Sequence, residues 1–331
     1  MSLGISVVIT MFNNCEQVNS ALASINISYE YLSPEEKKSF EVIIVDDSPF
    51  YSAQIDQHFS FPIIIEKLKE NVGTGGARNK GFHMAHFDWV LSLDSDICFR
   101  VETLSKFFSW IKRERTFDIV QSIVSDQPVG KDTSFFQHYL AISFYVDAIT
   151  DNEIHDQPKL FNTMCFLAHR QTFLDIGGFS SKFKSSGGEE FEITKRFSNT
   201  RIVQDNEIRV DHYYERFIQR MRKLFRRSAN YQEVVVQNDA FPKYFKLVGY
   251  ARAFATLTLT LSIGCSFLYP TLALPLILIS ILVLIFCDGG RRFRYAFNRT
   301  GLFRTIMFIP CIMSEFLIVM AGGIVSKIRN D

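Results

Sequence analysis

Apolar runs with the composition of strands alternate with helical patterns over about the first 125 residues. The strand-like runs are Ile5–Thr10, Glu41–Val45, Phe61–Glu66 and Trp89–Leu93. Continuous runs rich in β-branched residues are typical of parallel strands that are buried on both faces. Between them, the spacing of apolar residues predicts helices over 14–27, 76–86 and 101–113. This alternation predicts βαβ units, and therefore an α/β fold with a mostly parallel sheet flanked by helices.

The pattern becomes less regular after residue 130. Helices are predicted over 135–146 and 189–197, and a strand over 162–168. The segment 216–227 places apolar residues at helical spacing among six basic residues. This pattern indicates an amphipathic helix that lies on a membrane surface. A basic helix that binds nucleic acid is the alternative, but the apolar runs that follow favour the membrane.

Two long apolar stretches follow. Residues 247–287 carry one charge, Arg252, and are long enough for two membrane spans broken at Tyr269-Pro270. With the run at 302–325, the chain has three predicted spans, at about 248–268, 271–287 and 303–325. Arg304 and Glu315 make the third a weaker span, so a re-entrant or interfacial segment is the alternative there. A buried soluble helical domain is the alternative for the whole region.

Charge also divides the chain into two parts. Residues 1–212 have a net charge of −9 and residues 213–331 a net charge of +10. We therefore predict an acidic domain over 1–212, a basic amphipathic interfacial helix and linker over 213–246, and a helical transmembrane region over 247–331. Four arginines in 288–301 place that loop in the cytosol by the positive-inside rule. The start lacks the features of a signal peptide, so the N-terminal domain is expected to be cytosolic as well.

Composition excludes several classes of protein. With 47% apolar and 21% charged residues, the chain is neither disordered nor collagen-like. Its six cysteines are scattered and form no Cys-x-x-Cys pair, so neither a disulfide framework nor a zinc site is indicated.

Acidic residues follow two of the predicted strands directly. Asp94-Ser95-Asp96 comes after Trp89–Leu93, and Asp46-Asp47 comes after Glu41–Val45. In parallel sheets, ligands bind beyond the carboxyl ends of the strands, where Asp94 and Asp96 could bind a hard divalent cation. A carboxylate at 46–47 could accept hydrogen bonds from a base or a ribose. A solvated turn and a helix-capping Asx-turn are the structural alternatives for the two motifs.

The segment Asn71–Gly81 is rich in glycine and leads into a helix. Such a segment can bring backbone N–H groups towards a phosphate. A dinucleotide fingerprint would follow the first strand, whereas this segment follows the third, so a dehydrogenase is excluded.

Taken together, these segments resemble the family 2 glycosyltransferases of the GT-A fold. The matching stretches are SVVITMFNN, EVIIVDDSP, NVGTGGARNKGF, LSLDSD, DIGGF and GGEEFEITKRF, in the order and spacing of that family. The resemblance covers roughly residues 4–215. It implies that the domain over 1–212 is catalytic and transfers a sugar from a nucleotide-sugar donor, with inversion and with a divalent metal, Mn²⁺ or Mg²⁺.

The resemblance also assigns roles by position. The nucleotide-sugar would contact Thr10, Asp46, Asp47, Arg78, Asp94 and Ser95. The metal ligands would be Asp96, Asp94 and His212, with Asp96 the more direct one. Glu189 and Glu190 occupy the family's Glu-Asp pair, in which the second residue is the general base. Glu190 stands where an Asp is usual; its side chain is one methylene longer and carries the carboxylate that a general base needs.

The membrane segments suggest a lipid-linked or glycan acceptor at the cytosolic face, in cell-envelope polysaccharide or glycolipid synthesis. A bacterial inner membrane protein, without a nucleic-acid partner, is expected. Gln219 and Arg222 match part of a motif of the polymerising synthases, but Lys223 replaces its tryptophan, which favours single addition. The alternatives are a polyprenyl-phosphate sugar synthase and a non-catalytic membrane nucleotide-binding protein.

Overall fold

The computed structural model describes most of the chain. The described residues are 3–50, 53–113, 117–130, 132–149, 154–156, 161–180, 189–197, 199–237, 243–287 and 289–330. The two glycines that begin the quoted stretch GGEEFEITKRF, Gly187 and Gly188, lie outside them.

The chain divides into two compact units. The sheet unit comprises residues 1–131 and 148–214, and the helical unit comprises residues 132–147 and 215–331. The segment 132–147 thus groups with the C-terminal part of the chain rather than with its neighbours in sequence. The three domain boundaries drawn from the sequence stay predictions.

Nine strands of the described residues form the sheet. They are β1 (Ile5–Met11), β2 (Phe40–Asp46), β3 (Ile63–Lys67), β4 (Trp89–Asp94), β5 (Ile97–Phe99), β6 (Ile119–Pro128), β7 (Ile154–Asp156), β8 (Cys165–His169) and β9 (Ile202–His212). Their order is β3-β2-β1-β4-β8-β6-β9-β5, and β7 pairs with β9 off this path. From β3 to β4 all neighbours are parallel, whereas β8 is antiparallel to both β4 and β6. The predicted α/β fold is confirmed, and its sheet combines this parallel half with a mixed half.

Helices of the described residues belong to one unit or the other. Those of the sheet unit are α1 (Cys15–Glu30), α2 (Pro34–Lys38), α3 (Gly73–Met84), α4 (Thr103–Ile111), α6 (Arg170–Asp175) and α7 (Glu189–Thr194). Those of the helical unit are α5 (Phe135–Ala148, except its last residue), α8 (Phe217–Gln237), α9 (Lys243–Cys265), α10 (Pro270–Phe286), α11 (Arg291–Thr300), α12 (Leu302–Ile306) and α13 (Phe308–Asn330).

Helix α3 packs closely on the central strand β1. A Cβ atom on Gly81 would lie 2.2 Å from Cγ1 of Val8, so only glycine permits this approach. Next to it, Ala77 and Phe82 are fully buried in the core. Burying a side chain such as Phe82 contributes about 1.5–3 kcal/mol. This packing fixes the helix that carries Arg78 against the strand that carries Thr10.

Strand β6 was not predicted from the sequence, because polar residues interrupt its apolar run. Gln121, although buried, bonds to the side chain of Gln204 at 2.8 Å and accepts from the N–H of Asn162 at 3.0 Å. These hydrogen bonds satisfy the buried side-chain amide of Gln121, one of the polar groups that interrupt the apolar pattern of the strand.

Two helices of the helical unit are long and apolar enough to cross a membrane. They are Leu247–Cys265, with a mean hydropathy of 1.3, and Leu302–Val325, with a mean hydropathy of 2.1. Helix α10 has 17 residues, and α11 is bent from it by 84°, so the pair has the form of a broken span or a re-entrant loop. Large apolar side chains remain exposed along α9 and α10, among them Phe254 at 73% and Leu272 at 65%. Exposed apolar surface of this extent is typical of contact with lipid or with another protein.

Glu315, which weakened the third predicted span, has partners within the helical unit. Its carboxylate accepts from Nε of Arg220 at 2.9 Å and from the hydroxyl of Tyr139 at 2.8 Å. Burial, and then the charge of Glu315, raise the pKa of Tyr139 well above its usual value, so the hydroxyl remains a donor. The three residues connect α5, α8 and α13.

Candidate functional site

Polar side chains from three parallel strands meet at one edge of the sheet. In β1, Thr10 lies opposite Asp94 of β4, and Met11 lies opposite Asp46 of β2. The register follows from the apolar runs, whose carboxyl ends are level in a parallel sheet. This edge is where such sheets bind ligands.

Asp46 is fully buried and is held by its own surroundings. Its carboxylate accepts from the N–H of Ser48 at 2.9 Å, from the N–H of Ala53 at 2.9 Å and from Nζ of Lys67 at 3.1 Å. Burial alone would raise the pKa of Asp46, but the hydrogen bonds from Ser48 and Lys67 outweigh it and lower the pKa. Asp46 is therefore a fixed anion at this edge.

Asp47 anchors the beginning of α3. Its two oxygens accept from the N–H groups of Val72 at 2.8 Å and Gly73 at 2.9 Å, and burial raises its pKa. N–H groups at a helix start have no partner within the helix, and the N–H of Gly73 also donates to the side chain of Asn71 at 3.0 Å. The glycine-rich segment was expected to offer such groups to a phosphate, but here both are taken by Asp47. Asp47 thus caps α3 from a distance in sequence, whereas the Asx-turn at this motif is made by Asp46, whose Oδ1 accepts from the N–H two residues later.

Arg78 is 1% exposed and lies among acidic side chains. Its Nη2 is 2.5 Å from Oδ1 of Asp94, and its Nη1 is 3.8 Å from Oε1 of Glu189. The ring of Phe179 lies 5.1 Å from its guanidinium carbon. Burial would lower the pKa of Arg78, but Asp94 and Glu189 raise it, so the side chain stays charged. Burial raises the pKa of Asp94, against the opposing effect of Arg78.

Asp96 and His212 meet because of the pairing of β5 with β9. Ile97, which follows Asp96, pairs antiparallel with His212. Nε2 of His212 lies 3.4 Å from Oδ2 of Asp96, and the N–H of Tyr213 donates to the carbonyl of Asp96 at 2.9 Å. Asp96 and His212, which are far apart in sequence, thus place a carboxylate oxygen and an imidazole nitrogen side by side, and both atoms are of the kind that bind metal ions.

The acidic pair opens helix α7. Glu189 is buried at 4% exposure and faces Arg78, whereas Glu190 is partly exposed. Glu190 contributes to the raised pKa of Arg78, which places its charge near the guanidinium. Of the two, Glu190 is the one that a substrate could reach.

The side chains at this site fit a divalent cation whose remaining ligands come from a bound substrate. Among the described residues, no group of three or more His, Cys, Asp or Glu side chains is placed to hold a metal ion. Asp96 and His212 supply two donors, and Arg78 engages Asp94. Mg²⁺ binds through one or two carboxylates, with substrate phosphates and water completing its coordination. The donor set therefore suits a metal that arrives with a diphosphate.

Some residues at this edge were not predicted. Lys67 pairs with Asp46, and the register that places them opposite each other at the ends of β2 and β3 could have indicated it. Asn14 donates to the hydroxyl of Ser95 at 2.5 Å, and its position after β1 gave the same kind of signal. Phe179 lies in the quoted DIGGF stretch, but no role was assigned to it. The ten predicted residues thus lie among a wider set of supporting side chains.

Comparisons with known proteins identify the family of the chain and proteins that are similar to it. The family model for glycosyl transferase family 2 matches residues 6–177. An uncharacterized glycosyltransferase of Haemophilus influenzae is 25% identical over 187 residues, which are 56% of this chain and 60% of that protein. The match therefore spans less than two thirds of the relative's length.

Two solved structures are similar to the chain. A mannosyltransferase from Pyrobaculum calidifontis, in complex with GDP-Man and Mn²⁺, has a TM-score of 0.51 at 14% identity, covering 97% of this chain and 86% of that one. TarS of S. aureus has a TM-score of 0.46 at 16% identity, covering 70% of this chain and 40% of that one. The mannosyltransferase shares the fold. Since the family model covers more than half of the sequence, the chain belongs to glycosyl transferase family 2.

Proposed function

We propose that the protein transfers a sugar from a nucleotide-sugar donor to a lipid-linked acceptor, with inversion at the anomeric carbon and with a divalent metal. The observation that carries the proposal is that the buried Arg78 contacts Asp94 and Glu189, while Asp96, two residues after Asp94, contacts His212. An acidic cluster with one buried cation binds a positively charged or metal-bridged ligand better than a free anion.

The donor would lie along the ends of β1, β2 and β4. Thr10 and Asp46 are at the base and ribose, and Asp94 and Ser95 are near the sugar and the diphosphate. Asp47 acts indirectly, because it anchors α3. Arg78 orients Asp94 and Glu189, and its positive charge offsets the repulsion between their two carboxylates. GDP-Man bound to the similar mannosyltransferase supports a nucleotide-sugar as the donor.

Asp96 and His212 would hold the metal, with Asp94 beside them. When bound, a divalent cation offsets the negative charge that develops on the departing nucleoside diphosphate. The Mn²⁺ in the similar mannosyltransferase supports the use of a divalent metal. The residues themselves orient the diphosphate so that its bond to the sugar points away from the acceptor.

Glu190 is the proposed general base. It takes the proton of the acceptor hydroxyl as the oxygen attacks the anomeric carbon, and the bond between that carbon and the phosphate oxygen breaks on the opposite face. The electron pair leaves with the nucleoside diphosphate, so the configuration at the carbon is inverted. An acceptor phosphate is already ionised, and for it the base matters less. Glu189, held by Arg78, positions the helix that carries Glu190.

The acceptor is proposed to be a polyprenyl-linked glycan or phosphate at the cytosolic face of the membrane. Leu247–Cys265 and Leu302–Val325 support a membrane location. The basic helix α8 would lie at the anionic surface, where its exposed Arg222 and Arg226 meet headgroups.

The test uses the full-length protein in detergent, radiolabelled UDP- and GDP-sugars, and two acceptors: a polyprenyl phosphate and a polyprenyl diphosphate sugar. Label that enters the organic phase from one donor, with the inverted anomer by NMR, supports the proposal. The acceptor that is used decides between glycan extension and synthesis of a lipid-phosphate sugar. Transfer to a soluble sugar at the same rate, with none to either lipid, would overturn the lipid-linked acceptor.

A further inference from the structure

Helix α11 separates the candidate membrane segments and is rich in arginine. Its sequence RRFRYAFNRT has four arginines and no acidic residue. The arginines differ in their surroundings: Arg292 is 5% exposed, whereas Arg291, Arg294 and Arg299 are exposed. One arginine of the helix is therefore buried and three are exposed to solvent.

The inward face is fixed by contacts within the helical unit. Nη2 of Arg292 lies 2.8 Å from both carboxylate oxygens of Asp147 in α5. The rings of Tyr145 and Tyr295 lie 5.1 Å apart between the same two helices. On α13, the ring of Phe308 lies 6.4 Å from that of Phe293. Contacts with two helices set the rotation of α11 about its own axis.

This rotation determines where the other side chains point. At 100° per residue, Arg291 and Arg294 project away from the buried Phe293 and Ala296, and Arg299 lies at the border, beside Arg292. The ring of Phe297, at the border of the two faces, is 52% exposed. Leu302 and Phe303 follow directly in α12 and are 63% and 79% exposed. A cationic face bordered by exposed apolar side chains has the composition of an element at the boundary of headgroups and acyl chains.

We propose that α11 binds the anionic phospholipids of the membrane surface. Arg291, Arg294 and Arg299 pair with headgroup phosphates, while Phe297 and Phe303 enter the acyl boundary. The Arg292–Asp147 pair acts as the tether that holds the cationic face towards the lipid. Charge complementarity favours an anionic over a zwitterionic surface, because no acidic side chain of α11 opposes it. The inference concerns lipid binding and does not depend on the transferase reaction.

The first experiment measures thermal stability of the full-length protein in nonionic detergent, with added phosphatidylglycerol or phosphatidylcholine. Phosphatidylglycerol is expected to raise the melting temperature more than phosphatidylcholine does. Replacement of Arg291, Arg294 and Arg299 by Gln should remove at least half of that difference, whereas replacement by Lys should keep most of it. A matched variant, with Lys38, Lys69 and Arg113 of the sheet unit changed to Gln, should respond as the wild type does.

An undiminished response of the Gln variant, or equal effects of the two lipids on the wild type, would overturn the proposal. A second measurement leaves the arginines intact. Phe297→Trp adds an indole to a chain whose own Trp89 and Trp110 are 6% and 5% exposed in the sheet unit. Brominated phosphatidylglycerol should quench the added fluorescence more than brominated phosphatidylcholine at the same mole fraction. Equal quenching by both would likewise contradict anionic binding by α11.

Discussion

Nη2 of Arg78 lies 2.5 Å from Oδ1 of Asp94, at the centre of the acidic sheet edge. The same guanidinium faces Glu189 through Nη1 at 3.8 Å. One buried cation thus connects the residue that ends β4 with the residue that begins α7. Because the charges of the cluster repel one another, Arg78 allows them to be assembled before any substrate binds.

Arg78→Met should destabilise the sheet unit and abolish activity. Removing one partner of a buried ion pair typically costs about 3–5 kcal/mol, because the remaining charge is left uncompensated. Arg78→Lys keeps the positive charge but not the planar guanidinium, so its stability should lie between those of the wild type and Arg78→Met. Urea unfolding followed by fluorescence of Trp89 and Trp110 measures the loss. Lys80→Met on the same helix is the control, and equal stability of both Met variants would contradict the role of Arg78.

Asp47→Ala should weaken the start of α3. The N–H of Val72 loses its acceptor, whereas the N–H of Gly73 keeps the side-chain oxygen of Asn71 at 3.0 Å. A buried unsatisfied group costs about 1–3 kcal/mol. Asp47→Asn keeps one acceptor oxygen and should lose less. The same unfolding assay tests this, with the exposed Asp56→Asn as control. An Ala variant as stable as the control would show that Asp47 does not anchor the helix.

The ion pair of Lys67 with Asp46 should give a pH-dependent contribution to stability. The pKa of Asp46 is lowered in the folded state, so the stabilisation is present above the usual carboxyl pKa of about 3.9 and is lost as the pH falls through the folded value. The side chain of Lys67 is 36% exposed, so solvent screening limits the contribution of the ion pair to the free energy of unfolding to about 1 kcal/mol.

Lys67→Met should therefore melt about 2–4 °C below wild type at pH 7. This gap should narrow as the pH falls below about 4, since Asp46 then becomes protonated in both proteins. Lys69→Met, two residues further and also exposed, controls for the loss of a surface charge. A gap that stays constant with pH would mean that Lys67 acts through packing alone.

Arg220→Met should destabilise the helical unit more than Arg222→Met does. Arg220 is paired with Glu315, and both side chains are less than one fifth exposed, whereas Arg222 is exposed. An isolated Glu315 in a candidate span is costly, so we expect a loss of about 3 kcal/mol. Tyr139→Phe removes one hydrogen bond and should cost about 1 kcal/mol. Thermal inactivation in detergent compares the three, and equal losses from both arginine variants would contradict the pairing.

Much of the fold could be predicted from local pattern. The runs at β1 and β2 are continuous and rich in β-branched residues, and the run at β4 is apolar apart from Ser92, so the local pattern already indicates strands that are buried on both faces. Strand β6 escaped prediction because the polar side chain of Gln121 is satisfied only by residues distant in sequence. Pattern indicates what is buried, but not which polar groups find partners in the interior.

The site was predictable in part for a similar reason. Strand ends located Asp46 and Asp94, because parallel strands end together. The contact of Asp96 with His212 depends on the register of β5 and β9, and the resemblance to the family, rather than any spacing, had suggested it. The inward position of Arg78 depends on the close packing of Gly81 against Val8, which no local pattern contains.

Metal-dependent use of a nucleotide-sugar is the central claim, and release of nucleoside diphosphate tests it most directly. The full-length protein is incubated with UDP-, GDP- and dTDP-sugars, with Mn²⁺ or with EDTA, beside Asp96→Asn, His212→Ala and the control Asp56→Asn. We predict release from one donor, lost with EDTA and in Asp96→Asn, strongly reduced in His212→Ala and retained in Asp56→Asn. Release that persists with EDTA and in Asp96→Asn, or no release from any donor together with no nucleotide binding by calorimetry, would contradict the account.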